Sequence, residues 1–122
     1  MTKLIHIIED DPAIRDSLKL FLETRGYEVE TFSSGEDLLH NGNASRCDCF
    51  ILDVNLPGDN GFDVLKRLRG KGSKAPAIFM SGRASPDSRT RAQRANAVAF
   101  FDKPVAPGEL LAAIASATGR MP

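Results

Sequence analysis

The 122-residue sequence contains no tryptophan, one tyrosine and two cysteines, and its longest apolar runs span only a few residues. Such short runs argue against a transmembrane helix, which needs about 20 consecutive apolar residues. The chain also reaches the acidic run at residues 9–11 too soon to form the apolar region of a signal peptide. We therefore expect a single cytoplasmic domain without a membrane segment.

The two cysteines, Cys47 and Cys49, lie two residues apart at the expected start of a strand. Side chains at this spacing point the same way from a short extended segment, which disfavours an ordinary disulfide between them. Two cysteines alone also cannot supply the four ligands of a structural zinc site. Because disulfides are rare in the cytosol, we interpret both residues as reduced thiols of a cytoplasmic protein.

The formal net charge is zero, but the charges are unevenly distributed along the chain. Residues 1–63 contain thirteen acidic and five basic side chains, whereas residues 64–122 contain three acidic and eleven basic side chains. If the two halves occupy different sides of the fold, the molecule is dipolar and can steer a charged protein partner. No compact basic cluster interleaved with aromatic residues is present, so we expect no direct binding of nucleic acid.

Short apolar runs alternate with segments of helical periodicity. The runs read as strands at residues 3–8, 27–32, 49–54, 76–81 and 97–101. Helical segments follow them and begin near Asp11-Pro12, Ser34, Asn60, Pro86 and Pro107, with a polar loop at residues 40–46. This alternation predicts a parallel sheet that is covered by helices on both faces.

Acidic side chains follow two of the predicted strands. Glu9 and Asp10 come directly after the first strand, and Asp53 ends the third. The carboxyl ends of parallel strands meet at one edge of a sheet, so these carboxylates should lie close together. Such a cluster repels itself unless it binds a hard cation or shifts its pKa values. The sequence therefore predicts a Mg²⁺ site with Asp53 as the reactive carboxylate, whereas Asp11, before Pro12, mainly caps a helix.

Two further side chains complete this edge. Ser81 ends the fourth predicted strand, and Lys103 follows the fifth. A hydroxyl donor and an ammonium group beside a carboxylate–Mg²⁺ cluster suit a phosphoryl group, whose charge Mg²⁺ and Lys103 would neutralise. In this interpretation Asp53 is the nucleophile and forms an aspartyl phosphate.

At this point the sequence resembles the receiver domains of two-component response regulators. The resemblance rests on Glu9-Asp10-Asp11-Pro12, on Asp53 followed by Pro57 and Gly61, on Ser81-Gly82, and on Phe100-Phe101-Asp102-Lys103-Pro104. Each motif alone is weak, but all four occur in order at the ends of strands 1, 3, 4 and 5. The resemblance covers essentially the whole chain, with a receiver domain at residues 1–118 and a tail or the start of a linker at residues 119–122.

The resemblance implies a flavodoxin-like, doubly wound (βα)5 fold whose five-stranded parallel sheet has the order 2-1-3-4-5. It implies that Asp53 accepts phosphate from a phosphohistidine of a sensor histidine kinase or a histidine phosphotransfer protein. The domain would then be no enzyme beyond catalysing its own phosphorylation and dephosphorylation. Asp10, Asp53 and the backbone carbonyl of Asn55 would bind Mg²⁺, and Glu9 would support the ion through water.

The same resemblance assigns roles to the residues around the phosphoryl group. Ser81 and Lys103 would hold its oxygens. Asn55 and Arg83, each two residues beyond a strand end, would tune its hydrolysis. The bond between Lys103 and Pro104 is often cis in this family, which makes Pro104 a candidate cis-proline.

The resemblance also implies an output face formed by the fourth helix, the fifth strand and the fifth helix. This face would bind an output domain or a second copy of the chain. Phe100 and Phe101 should point to opposite sides of their strand, one into the core and the other partly exposed. The spacing from Lys103 favours Phe100 as the switch aromatic, which turns inward when Ser81 moves toward the phosphate.

The fourth helical segment departs from the family pattern. Residues 85–96 include three arginines, and only Ala92 and Ala95 are apolar at helical spacing. A helix that buries little apolar surface gains little stability, so we expect a short, mobile or shifted helix here. The alternative is a solvated helix whose arginine stems pack along its surface.

Two other functions compete with phosphoryl acceptance. A pseudo-receiver would act as an interaction module without phosphorylation, but such a module is expected to lack site residues that this chain retains. A Mg²⁺-dependent phosphatase could also form an aspartyl phosphate. That mechanism usually needs a second carboxylate two residues after the nucleophile, where this chain has Asn55.

Overall fold

A computed structural model describes residues 2–119 of the chain. Its strands are β1 (Leu4–Ile8), β2 (Glu28–Phe32), β3 (Cys49–Asp53), β4 (Ala77–Ser81) and β5 (Ala99–Asp102). Its α-helices are α1 (Pro12–Thr24), α2 (Gly35–Asn41), α3 (Gly61–Gly70), α4 (Pro86–Arg94) and α5 (Pro107–Thr118). Of the expected tail, residues 120–122 lie outside the described part of the chain.

The five strands form one parallel sheet in the order β2-β1-β3-β4-β5. This arrangement confirms the predicted fold class and strand order. The first half of the chain supplies β1, β2 and β3, and the second half supplies β4 and β5. The acidic and basic halves of the sequence therefore lie toward opposite edges of the sheet, as a dipolar molecule requires.

Helices cover both faces of the sheet, and each face has its own core. The core on the side of α2, α3 and α4 includes Leu38, Phe50, Leu52, Phe62, Leu65, Leu68 and Phe79. The core on the side of α1 and α5 includes Ile5, Ile7, Leu22, Ile51, Ile78, Leu110 and Ile114. Successive residues of β3 alternate between the two cores, which explains why this central strand is apolar up to Asp53. Among the described residues, no helix is both long and apolar enough to cross a membrane.

The polar segment at residues 40–46 contains more helix than the sequence pattern predicts. Helix α2 continues to Asn41, and a short 3-10 helix follows at Ala44–Arg46. Polar side chains on a helical turn or a single 3-10 turn give no apolar periodicity, so the sequence pattern could not distinguish this segment from a loop.

Side chains at the ends of the loops fix where the helices begin. The Asp11 carboxylate accepts hydrogen bonds from the backbone amides of Ala13 and Ile14, which confirms its predicted role as an N-cap. At the start of α3, Gly61 packs directly against the end of β3. A Cβ atom on Gly61 would lie only 2.5 Å from the carbonyl oxygen of Asp53, so any larger residue would displace the helix from the strand end.

Helix α4 buries no large apolar side chain, unlike α2 and α3 on the same face of the sheet. It is nine residues long and buries only Ser88 and Ala92, whereas α3 buries five residues, including Phe62 and Leu65. Ser85 and Ser88 form a reciprocal capping box that fixes its first turn. The helix is one residue shorter than α3, and the expected mobility or shift of this segment stays a prediction.

We predict that the backbone amides of α4 exchange with solvent faster than those of α3. Burial of apolar surface stabilises by about 25 cal/mol per Å², and α4 has little such surface to lose when it opens. Native-state hydrogen exchange with mass spectrometry should show peptides from residues 89–96 exchanging roughly tenfold or more faster than peptides from residues 64–70. Equal protection of the two helices would contradict the prediction.

Candidate functional site

Asp53 lies at the carboxyl end of β3, in the centre of the sheet, and is only 1% exposed. One carboxylate oxygen, Oδ1, accepts a hydrogen bond from the backbone amide of Asn55 at 2.9 Å. The other, Oδ2, accepts a hydrogen bond from the ammonium group of Lys103 at 2.7 Å. A buried carboxylate is costly unless it is paired, so Lys103 is the group that makes this position tenable.

The same ammonium group contacts a second buried carboxylate. Lys103 Nζ lies 2.5 Å from Oε1 of Glu9, which is fully buried. Burial raises the pKa of Glu9 to about 7, the Asp53 carboxylate adds to the rise, and Lys103 opposes it. Burial lowers the pKa of Lys103, but its hydrogen bonds to Asp53 and Glu9 outweigh this effect and raise it above the usual value. Lys103 therefore stays charged between two acids.

Three carboxylates converge at this edge. Glu9, Asp10 and Asp53 each place one oxygen within 4.8 Å of the others. Glu9 and Asp53 are buried, whereas Asp10 is exposed, so the cluster opens to solvent on one side. Clustered carboxylate oxygens are the ligands that Mg²⁺ and other hard cations prefer, so the residues fit the predicted metal site. The backbone carbonyl of Asn55 stays a predicted ligand.

Ser81 completes the polar surface beside Asp53. It is 1% exposed, its hydroxyl donates to Oδ1 of Asn55 at 2.8 Å, and the hydroxyl accepts from the backbone amide of Arg83 at 3.1 Å. The backbone amide of Lys103 donates to the carbonyl of Ser81 at 2.9 Å, which ties the end of β4 to the lysine. The structure thus brings together every side chain predicted to touch metal or phosphate.

The remaining predicted residues lie around this centre. Phe100 and Phe101 face opposite cores, as expected. Each packs against the core on its side of the sheet, and both are partly buried. The strand that carries them is at the edge of the sheet, where side chains have neighbours on fewer sides. The peptide bond between Lys103 and Pro104 is cis, and the predicted tuning residue Arg83 is exposed.

Two contacts near the site were not predicted. The Arg15 guanidinium donates to the backbone carbonyl of Glu9 at 2.9 Å and so ties α1 to the acidic loop. Arg89 pairs with Asp102 at the end of β5. A basic residue one turn after the helix cap could have suggested the first contact. No sequence signal indicates the second, because it depends on how α4 docks.

A doubly wound α/β domain with a lysine-bridged acidic cluster at the carboxyl edge defines a narrow class of proteins. The family model of the response regulator receiver domain matches residues 5–115. The chain belongs to this family and is a receiver domain of two-component signalling systems. The predicted family is thereby confirmed.

Individual relatives support the same assignment. The chain is 40% identical to the response regulator protein TodT of Pseudomonas putida over 114 residues, which is 93% of this chain and 50% of that protein. It is 32% identical to the transcriptional regulatory protein FixJ of Azorhizobium caulinodans, over 95% of this chain and 55% of that protein. The chain thus spans about half the length of these relatives.

Solved structures show the same fold over nearly the full length. A CheY-like receiver domain protein from Methanospirillum hungatei matches with a TM-score of 0.88 and 30% identity, covering 98% of this chain and 95% of that one. The chemotaxis protein CheY4 of Vibrio cholerae matches with a TM-score of 0.87 and 27% identity, covering 96% of this chain and 99% of that one.

We predict that Glu9→Gln stabilises the fold at about pH 8 but not at about pH 5. Because the pKa of Glu9 rises from 4.5 to about 7 on folding, this carboxyl contributes stability below pH 4.5 and loses that contribution as pH rises through 7. Above pH 7 the buried carboxylate is ionised at a free-energy cost that glutamine removes. Urea unfolding with EDTA present should show a gain of roughly 1–3 kcal/mol at the higher pH.

The matched control is Glu23→Gln, which removes the same charge from an exposed position of α1. This variant should change the free energy of unfolding by less than about 0.5 kcal/mol at either pH. A loss of stability in Glu9→Gln at the higher pH would mean that the ion pair with Lys103 outweighs the cost of burial, contrary to the prediction.

Proposed function

We propose that this receiver domain accepts a phosphoryl group on Asp53, in a Mg²⁺-dependent reaction, from a phosphohistidine of a histidine kinase or a histidine phosphotransfer protein. The observation that carries the proposal is the contact of Lys103 with the buried Asp53 carboxylate, beside the acidic cluster and Ser81. This arrangement offers a nucleophile, a fixed cation and a hydroxyl donor within one small site.

The reaction is a displacement at phosphorus. An oxygen of Asp53 attacks, the new O–P bond forms as the P–N bond of the phosphohistidine breaks, and the leaving imidazole takes a proton. The Lys103 ammonium then pairs with one phosphoryl oxygen, and the Ser81 hydroxyl donates to another. Mg²⁺, held by Glu9, Asp10, Asp53 and the Asn55 carbonyl, would supply charge neutralisation when bound.

Hydrolysis of the aspartyl phosphate by water returns the domain to its starting state. Asn55 and Arg83 would tune the rate of this step, because both are exposed beside Ser81. The domain would thus catalyse only its own phosphorylation and dephosphorylation.

Phosphorylation would shift the equilibrium between two conformations of the face formed by α4, β5 and α5. Ser81 would move toward the phosphoryl group, and Phe100, which is only partly buried, would turn inward. This face would bind an output domain or a second copy of the chain. FixJ is a transcriptional regulatory protein, which supports an output in transcription. Two free, buried thiols support a cytoplasmic location.

The proposal predicts that the protein gains one phosphoryl group when incubated with Mg²⁺ and acetyl phosphate. Intact-mass spectrometry should detect this gain in the wild type and in Asp59→Asn, which removes an exposed carboxylate from a nearby loop. The Asp53→Asn variant should show no gain, because the amide is not a nucleophile here.

Phosphorylation that persists in Asp53→Asn would show that another residue is the acceptor. If the wild type gains nothing from acetyl phosphate and nothing from a panel of phosphorylated histidine kinases, although Mg²⁺ binds, the alternative of a pseudo-receiver is favoured. In that case the domain would act as an interaction module without phosphorylation.

We further predict that Lys103→Gln slows phosphorylation by about 10²-fold at saturating Mg²⁺, because loss of one preorganised cation removes stabilisation of the developing charge. The measurement is the initial rate of mass gain with acetyl phosphate. The control is Lys71→Gln, which removes an exposed charge at the end of α3 and should leave the rate unchanged. Similar rates in the wild type and Lys103→Gln would remove Lys103 from the proposed mechanism.

A further inference from the structure

Arg89 links α4 to β5 through two contacts of its guanidinium group. One nitrogen, Nη2, lies 2.6 Å from Oδ2 of Asp102, and the central carbon lies 5.0 Å from the centre of the Phe100 ring. Since α4 buries only Ser88 and Ala92, these two contacts add to the small apolar surface that holds the helix to the sheet.

Both ends of this link are close in sequence to the groups that would hold the phosphoryl oxygens. Asp102 directly precedes Lys103. On the other side, Ser81 leads through a short loop to Ser85, the N-cap of α4, and Arg89 lies one turn further. A single cavity of about 480 Å³ is lined by Ser81, Ser85, Arg89, Asp102 and Lys103, among other residues. The contact between Arg89 and Asp102 therefore connects the two segments that follow Ser81 and precede Lys103, on one side of the polar site.

We propose that Arg89 and Asp102 form a latch that favours the unphosphorylated arrangement and so weakens binding of a phosphoryl group at Asp53. The inference rests on the proposed function. Arg89 is a positioning residue: it touches neither Asp53 nor the metal ligands and acts by fixing α4 relative to the strand that carries Lys103.

The direction of the effect follows from the charges at the site. Without phosphate, Lys103 is held by Glu9 and Asp53, and the latch is closed. A phosphoryl group attracts both Lys103 and the Ser81 hydroxyl, so the two segments that carry the latch residues move relative to each other. Under this proposal the contact fits the first arrangement and is lost in the second. Its removal therefore favours the phosphorylated form.

We expect the latch to change the equilibrium between the unphosphorylated and phosphorylated forms only modestly. The side chains of Arg89 and Asp102 are 50% and 58% exposed, and an ion pair so exposed is weak alone. The stacking of Arg89 on the Phe100 ring adds a second contact, which depends on the planar guanidinium group. Because an exposed pair can be removed without opening a cavity, variants at these positions should fold normally.

The test is a titration with beryllium fluoride and Mg²⁺, since beryllium trifluoride binds a carboxylate as a phosphoryl mimic. We expect Arg89→Ala and Asp102→Asn each to bind the mimic about two- to fivefold more tightly than the wild type. The double variant should gain no more than the stronger single variant, because both changes remove the same contact. Fluorine NMR of the bound mimic gives the affinity.

Two controls separate the latch from general loosening of α4. Arg91→Ala removes a similar stacking contact, with Phe62 at 4.6 Å, from the same helix and should leave the affinity for the mimic unchanged. Mg²⁺ affinity without the mimic should be the same in all variants, because the latch does not touch the acidic cluster. The charge-exchanged variant Arg89→Asp with Asp102→Arg should recover the wild-type affinity in part.

The outcomes distinguish the latch from the function on which it rests. If the wild type binds the mimic and Arg89→Ala or Asp102→Asn binds it equally or more weakly, the latch is overturned and the proposed function stands. An equal gain in Arg91→Ala would likewise overturn the latch, since any loosening of α4 would then suffice. If the wild type does not bind the mimic, the proposed function fails and the latch fails with it.

Discussion

The structure depends above all on one ammonium group between two buried carboxylates. Lys103 contacts Asp53 and Glu9, and without it two buried carboxylates would lie side by side with no counter-charge. Because one positive charge faces two acids and the exposed Asp10 lies beside them, the cluster keeps an excess of negative charge. That excess suits a divalent cation, and the cation with Lys103 suits a phosphoryl group. The raised pKa of Glu9 reflects the same imbalance, because this carboxyl is buried without a full counter-charge.

The parallel sheet is what brings these groups together. The register pairs Ile8 with Leu52, so the acidic run after β1 meets the end of β3. It also pairs Ser81 with Asp102, which places Lys103 one residue beyond the serine. Local features fix where the helices begin at this edge: Asp11 caps α1 next to the acidic run, and Gly61 lets α3 begin in contact with the backbone of Asp53. Substitutions that disturb these loops would thus affect the site without touching a ligand.

Much of this arrangement could be predicted from the sequence, because it follows from periodicity and strand ends. Strands that are buried on both faces appear in the sequence as short apolar runs. The carboxyl ends of parallel strands share one edge of the sheet, so the residues at these ends, Asp53, Ser81 and Lys103, could be placed together. Features that depend on distances between elements could not be predicted in this way. The contact between Arg89 and Asp102 is set by the docking of α4, and the partial burial of Phe101 is set by its place in an edge strand. Periodicity carries neither kind of information.

Helices α3 and α4, which follow β3 and β4, are packed unequally against the sheet. This difference gives a physical reason why a change at the site would displace one helix more than the other. Helix α3 begins against Asp53 but is held by five buried residues, so it resists displacement. Helix α4 follows Ser81 after a short loop and has two buried residues, a serine and an alanine. We therefore expect a given force at the polar edge to move α4 more than α3, because less apolar contact must be broken. If the domain is phosphorylated as proposed, the arginine-rich sequence of α4 would allow a local change of charge at the site to alter the protein surface.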